Sequence, residues 1–168
     1  MNIPRQIFWG LAGLAALIMV VVSIKPVISR WDNKISANTN AANQYDYATV
    51  TINGAAIKVQ IPTTVALQEQ GLAGRTTLSD TEGMLWLYGQ PDRYTFWMKG
   101  MVMPLDFVWI DQGKIVDLTP NVPPPAKGDL YYPIYRPSSA VTGILEVRSG
   151  FIGDHGLVIG QSVSIDRN

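Results

Sequence analysis

The chain contains no cysteine. Disulfides, thiolate nucleophiles and cysteine metal sites are excluded at once, while the compartment stays open, because a cysteine-free domain suits either side of a membrane. Histidine is nearly as scarce, with His155 the only one in 168 residues. A zinc site built on several histidines, such as H-E-x-x-H, cannot form. A Ser-His-Asp mechanism would have to run through His155, and no G-x-S-x-G elbow accompanies it. Charge is thin as well, at 15% of residues, where about 25% is usual for soluble domains. Thirteen basic and thirteen acidic residues cancel, so no basic excess points to nucleic acid and no block of like charge forms an interaction tail. No internal repeat is visible, and no metal or cofactor is expected.

What the chain does have is a hydrophobic beginning. Phe8 to Ile24 carries no charge, and its 17 residues would span roughly 25 Å as a helix, at the short end of the transmembrane range. Phe8 and Trp9 stand at one end, where aromatic rings favour the interface, and Lys25 and Arg30 flank the other. The rival reading is a cleaved signal peptide, but the apolar stretch is long for one and Val21-Val22-Ser23 is a weak cleavage site. We therefore expect residues 1–33 to form a membrane anchor with its flank, and the membrane to be the partner of residues 8–24. Lys25, Arg30 and Lys34 follow the segment while Arg5 precedes it, which by a simple count would keep the domain in the cytoplasm. That count has little force for long translocated domains, and an extracytoplasmic domain is expected. Residues 34–46, rich in Asn, Ala and Ser, read as a flexible linker.

From Tyr47 onward the pattern is β. Ala48 to Ile52, then Asn53-Gly54, then Ala55 to Ile61 is a hairpin signal, since Asn-Gly accepts the positive φ angles of a type I′ turn. Thr63 to Leu72 reads as a short helix capped by Thr63 or Thr64, with Gly71 and Gly74 near its end. Gly83 to Tyr88 and Tyr94 to Met98 are apolar runs of strand length. Leu105 to Ile110 and Lys114 to Leu118 form a second hairpin across Asp111-Gln112-Gly113. Thr119 to Pro133 is proline-rich and can be neither helix nor central strand. Ala140 to Val147 is a strand, Phe151 to Gly156 a helical turn, and Ser162 to Asp166 a closing strand. The expected fold is a mainly β (α+β) domain over residues 47–168, a small barrel or sandwich with one or two short helices.

Two carboxylates fall in apolar strands. Asp106 shares its face with Val108 and Ile110, and Glu146 shares its face with Ile144. An ionised carboxylate in such a place costs several kcal/mol unless paired and hydrogen-bonded. The cations that sequence context offers are Lys99 and Arg75, so Arg75, Lys99, Asp106 and Glu146 are expected to converge, as a structural ion-pair network or as a site. Trp86, Trp97 and Trp109 read as core residues before ligand platforms. Tyr131, Tyr132 and Tyr135, in the proline-rich loop, form either a binding rim or part of the packing. His155 reads as a surface-turn residue.

The order of these motifs resembles the domain of unknown function 192 family, also known as an uncharacterised conserved membrane protein family. The resemblance rests on EQGLAGRTTLSDTEGMLW (Glu69 to Trp86), FWMKGMVMPLDFVWID (Phe96 to Asp111), the GKIV hairpin, the PPP segment and ILEVRSGFIGDHGLVIGQSVSI (Ile144 to Ile165). It covers about Val50 to Ile165. The family pattern falls on Arg75, Gly83, Met84, Trp97, Met98, Lys99, Pro104, Asp106 and Glu146, so the four charged residues chosen by burial recur in it. One departure is clear: an Asn usually follows FWMK, and Gly100 stands there instead. Members carry an N-terminal signal or anchor, which implies an extracytoplasmic domain, but the family has no established activity. The expected role is a membrane-anchored module binding a small polar ligand or an envelope glycan or peptide through Arg75, Trp97, Lys99, Asp106 and Glu146. The alternatives are an envelope hydrolase using Asp106 and Glu146 as an acid–base pair, and a structural accessory of a membrane complex.

Overall fold

A computed structural model describes residues 45–129 and 131–167. The apolar segment Phe8 to Ile24 and nearly all of the linker lie outside the described residues. Among the described residues, no helix is long and apolar enough to cross a membrane.

The described residues build nine strands and two short helices. In order these are β1 (Asp46–Ile52), β2 (Ala55–Ile61), α1 (Val65–Gln70), β3 (Glu82–Asp92), β4 (Phe96–Trp97), β5 (Leu105–Asp111), β6 (Lys114–Val122), β7 (Ile134–Tyr135), β8 (Val141–Arg148), α2 (Phe151–Asp154) and β9 (Val163–Arg167). The expected mainly β domain is present. Seven strands form one sheet in the order β6-β5-β8-β3-β2-β1-β9, and β4 and β7 form a two-stranded ribbon.

Local chemistry explains the turns. Asn53 and Gly54 have φ of 47° and 82°, and Gln112 and Gly113 have 47° and 68°, so both hairpins close on two residues in the left-handed region. Helix α1 is capped by Thr64, whose Oγ1 accepts from the Leu67 N–H at 3.3 Å. It ends at Gly71, whose N–H donates to the Leu67 carbonyl. This helix carries the crossover between β2 and β3, the sheet's parallel pair, and parallel neighbours cannot be joined by a hairpin.

The proline-rich stretch departs from expectation. Strand β6 continues through Thr119, Pro120 and Asn121 to Val122, and the loop begins only at Pro123. Proline is tolerated there because β6 ends the order of its sheet and does not need a second row of donors. The pairing register with β5 shifts at the same place.

The sheet is apolar on both faces at its centre, where every residue from Leu105 to Ile110 is buried. One face carries Val50, Ile52, Ile57, Val59, Val108, Ile110, Leu145 and Val147, with Phe151 and Ile152 of α2 packed among them. The two ends of the sheet approach each other around this core. Lys114 bridges Ser162, the Ile115 N–H donates to the Gln161 carbonyl at 2.9 Å, and the Val163 N–H to the Gly113 carbonyl at 2.8 Å. The result is barrel-like, as expected. The other face carries Met84, Trp86, Phe107, Trp109 and Ile144 and is covered by Leu72, Phe96, Met98, Met101 and Met103 from the connections.

Candidate functional site

The four charged residues expected to converge do not. Strand register gives the reason. Asp106 lies opposite Val147 and Phe107 opposite Glu146, and side chains alternate along a strand. Asp106 therefore faces the barrel interior with Val108 and Ile110, whereas Glu146 faces the outer core with Ile144 and Phe107. The two carboxylates are on opposite sides of the sheet and cannot act on one bond.

Asp106 is fully buried and, among the described residues, is ion-paired with no cation. Its carboxylate accepts instead from three backbone N–H groups: Asn121 at 2.8 Å, Gly150 at 3.2 Å and Ile152 at 2.9 Å. Asn121 and Gly150 adopt positive φ, which turns their amides inward. A carboxylate so provided is a knot joining β5, the end of β6 and the start of α2. Arg75 is engaged elsewhere, donating to the Gln60 Oε1. Lys99 is exposed, with its Nζ 5.6 Å from the centre of the Trp97 ring.

Glu146 has no such set of backbone donors among the described residues, and the polar group beside it is the Trp86 indole. Glu146 is 6% exposed and lies on β8 between Met84 and Phe107. Among the described residues it has no ion-pair partner. Burial raises its pKa to about 7, and the neighbouring Trp86 indole opposes that shift only in part. The indole Nε1 is itself buried and makes no hydrogen bond of good geometry. Trp109 shows the ordinary arrangement, its Nε1 donating to Thr119 Oγ1 at 2.9 Å.

Glu146 and the Trp86 indole line one cavity of about 260 Å³. Trp86 and Tyr88 of β3 and Phe96 and Trp97 of β4 form its walls, while α1 and the Met98–Met101 segment complete the rim. Phe96 meets Trp86 edge to face at 5.0 Å, and Tyr88 stacks on Tyr94 at 3.6 Å. Burial, the proximity of Tyr94 and the Glu146 carboxyl together push the Tyr88 phenol up to about 12. Of the sequence-predicted residues, Trp97, Lys99 and Glu146 line this cavity; Arg75 and Asp106 do not. Trp86 and Trp109 are core as expected, but Trp97 is 55% exposed. Tyr131 is exposed, and Tyr135 packs edge to face on Phe107 at 5.8 Å.

Glycines shape the same site. A Cβ on Gly83 would stand 2.7 Å from the Glu146 carbonyl oxygen, so β3 can run this close to β8 only without a side chain. Gly100 has φ of 74°, and its carbonyl accepts from the Gly74 N–H at 3.0 Å, stapling the rim loops together. A Cβ on Gly100 would lie 3.1 Å from the Ala73 Cβ, so the close approach as well as the positive φ favours glycine here.

His155 has partners that its sequence neighbourhood does not reveal. Its Nε2 lies 2.9 Å from Asp80 Oδ2, and its ring packs on Phe151 at 4.1 Å. Asp80 also pairs with Arg148 at 2.6 Å, and Arg148 with Asp154 at 2.7 Å. These groups are part-exposed, and such surface pairs contribute about 0–1 kcal/mol.

Residues 48–165 match the family model for DUF192, described as an uncharacterized ACR. No curated protein matches the chain. Two solved structures are similar. A protein of unknown function from Novosphingobium aromaticivorans shares 29% identity and a TM-score of 0.62, with 73% of this chain and 86% of that one covered. A protein from Sinorhizobium meliloti, provisionally described as a transcription regulator, shares 22% identity and a TM-score of 0.63, with 74% and 95% covered. The second likeness is one of fold alone. With the family pattern running from β1 to β9, the chain belongs to the domain of unknown function 192 family.

Proposed function

We propose that the domain is a small-ligand binding module, tethered to the membrane by residues 8–24, facing away from the cytoplasm, with the Glu146 cavity as its site. The ligand is a small polar molecule or a short segment of an envelope glycan or peptide. One observation carries this reading: a buried carboxyl opens onto an aromatic-walled cavity with no cation paired to it. Burying such a group without compensation costs several kcal/mol. The fold satisfies Asp106 with three backbone donors from β6 and the start of α2, a provision that Glu146 does not receive. At about 260 Å³, the cavity is below the ~300–1,000 Å³ usual for drug-sized ligands, which favours a single small group. Asp106 and Glu146 lie on opposite faces of the sheet and do not share a cleft, which opposes their use as an acid–base pair.

The test is binding read at Trp86. The five tryptophans each give an indole N–H signal in a labelled sample. Envelope-type sugars, amino sugars and short peptides are titrated, and a true ligand moves the Trp86 and Trp97 signals while leaving Trp109 in place. Glu146→Gln weakens that response at least tenfold. A panel that moves none of these signals at millimolar concentration defeats the binding-module reading.

A further inference from the structure

We infer that the cavity is built for an organic ammonium group, a protonated amine or methylated ammonium that seats between the aromatic walls and ion-pairs with Glu146. This rests on the binding-module reading and names the chemistry of its ligand.

The charges around the cavity lead to it. The charged residues lining it are Glu146 in the floor, with Glu69 and Lys99 exposed at the rim. Among the described residues no cation is ion-paired with the buried carboxyl, the rim Lys99 lying over the Trp97 ring instead, so the carboxyl is free to take a guest cation. The walls suit the same guest. Trp86, Tyr88, Phe96 and Trp97 line the cavity together with Glu146, and the negative faces of such rings attract ammonium groups. The Trp97 ring already holds one, the Lys99 Nζ at 5.6 Å. Hydrogen bonding agrees. An ionised Glu146 has two oxygens and can accept from the N–H of a protonated amine, or pair by charge alone with a quaternary ammonium, while it accepts from the neighbouring Trp86 N–H. A neutral hydroxylated guest would leave the carboxylate charge uncompensated, and an anion would be repelled by it.

Proton balance follows. The ammonium requires the carboxylate form, so binding releases to solvent whatever proton Glu146 still holds. Beside Glu146 stand Trp86 and Tyr88 from β3 and Phe107 from β5, and the other titratable groups of the cavity lining are Glu69 of α1 and Lys99 after β4. Tyr88, held near 12, keeps its proton throughout.

Two sources offer this chemistry, a free small amine and a lysine-type side chain in a peptide. The full chain in nonionic micelles is titrated with four probes: choline, its neutral isostere 3,3-dimethylbutan-1-ol, n-butylammonium and a blocked lysine peptide. Cations are expected to bind at least tenfold more tightly than the alcohol at pH 8. With Glu146 titrating at about 7, its ionised fraction drops from about nine-tenths at pH 8 to about one-tenth at pH 6, so cation affinity falls about tenfold. Glu146→Gln removes both the preference and the pH dependence. Stronger binding of butylammonium than of the peptide assigns the free amine, and the reverse assigns the side chain. An alcohol that binds as tightly as choline, or a Gln variant that keeps the preference, overturns the inference. If sugars bind and amines do not, the ammonium assignment falls and the binding module stands; if neither binds, both fall.

Discussion

At Asp106 three amides converge on one carboxylate, and each would be left without an acceptor by Asp106→Ala. A buried unsatisfied donor costs roughly 1–3 kcal/mol, so the variant is expected to lose at least about 3 kcal/mol in a denaturation curve. Asp106→Asn keeps one oxygen but sets an amide N–H against one of the amide donors, and should cost about 1–3 kcal/mol. Because Asp106 faces away from the cavity, the folded Asn variant retains ligand binding; loss of binding at full stability would contradict the two-sided placement. Glu146 behaves in the opposite sense. Its folded pKa of about 7 stands above the ordinary 4.5, so the folded protein holds the proton more tightly than the unfolded chain. That contribution to stability is complete below about pH 4.5 and is lost as pH rises through 7, in total about 3 kcal/mol. Glu146→Gln should flatten the fall in melting temperature between pH 5 and pH 8; parallel curves for the two proteins would show that Glu146 is ionised throughout. Alternation along each strand shows in the sequence that both carboxylates are buried. It cannot show that they part company, because the register of β5 against β8 joins residues some forty apart.

The elements were legible where backbone chemistry is local. Asn53-Gly54 and Gln112-Gly113 announce their hairpins, and Thr64 announces α1. Pro120 misleads because the rule against proline in a strand applies to donors that an edge does not use. The β2–β3 parallel pair leaves no local mark, and so the cavity wall from Trp86 and Tyr88 was not foreseen, although Trp97, Lys99 and Glu146 were chosen. Gly83 tests how closely β3 must approach β8. Gly83→Ala puts a methyl 2.7 Å from the Glu146 carbonyl oxygen, and forcing the strands apart should cost about 1–3 kcal/mol. Ligand affinity should fall with it, since the displaced backbone carries Glu146. A variant that melts and binds like the parent would mean that the strands yield freely there.

For the whole molecule, the described strands begin at Asp46, and every apolar face of the sheet is covered from within residues 45–167. Deleting residues 1–33 is therefore expected to leave a soluble domain with one cooperative unfolding transition. Aggregation of that piece at neutral pH would place part of the core in the deleted residues.

The sheet also works as a partition. Its closed side, with the Asp106 knot, holds the fold; its open side, roofed by the connections around Leu72 and Met101, holds the cavity. Changes in the roof need not be felt in the barrel. A library randomised at Val65, Gln68, Trp97 and Lys99 would draw on that independence, making the domain a receptor scaffold whose specificity is set by one interchangeable face.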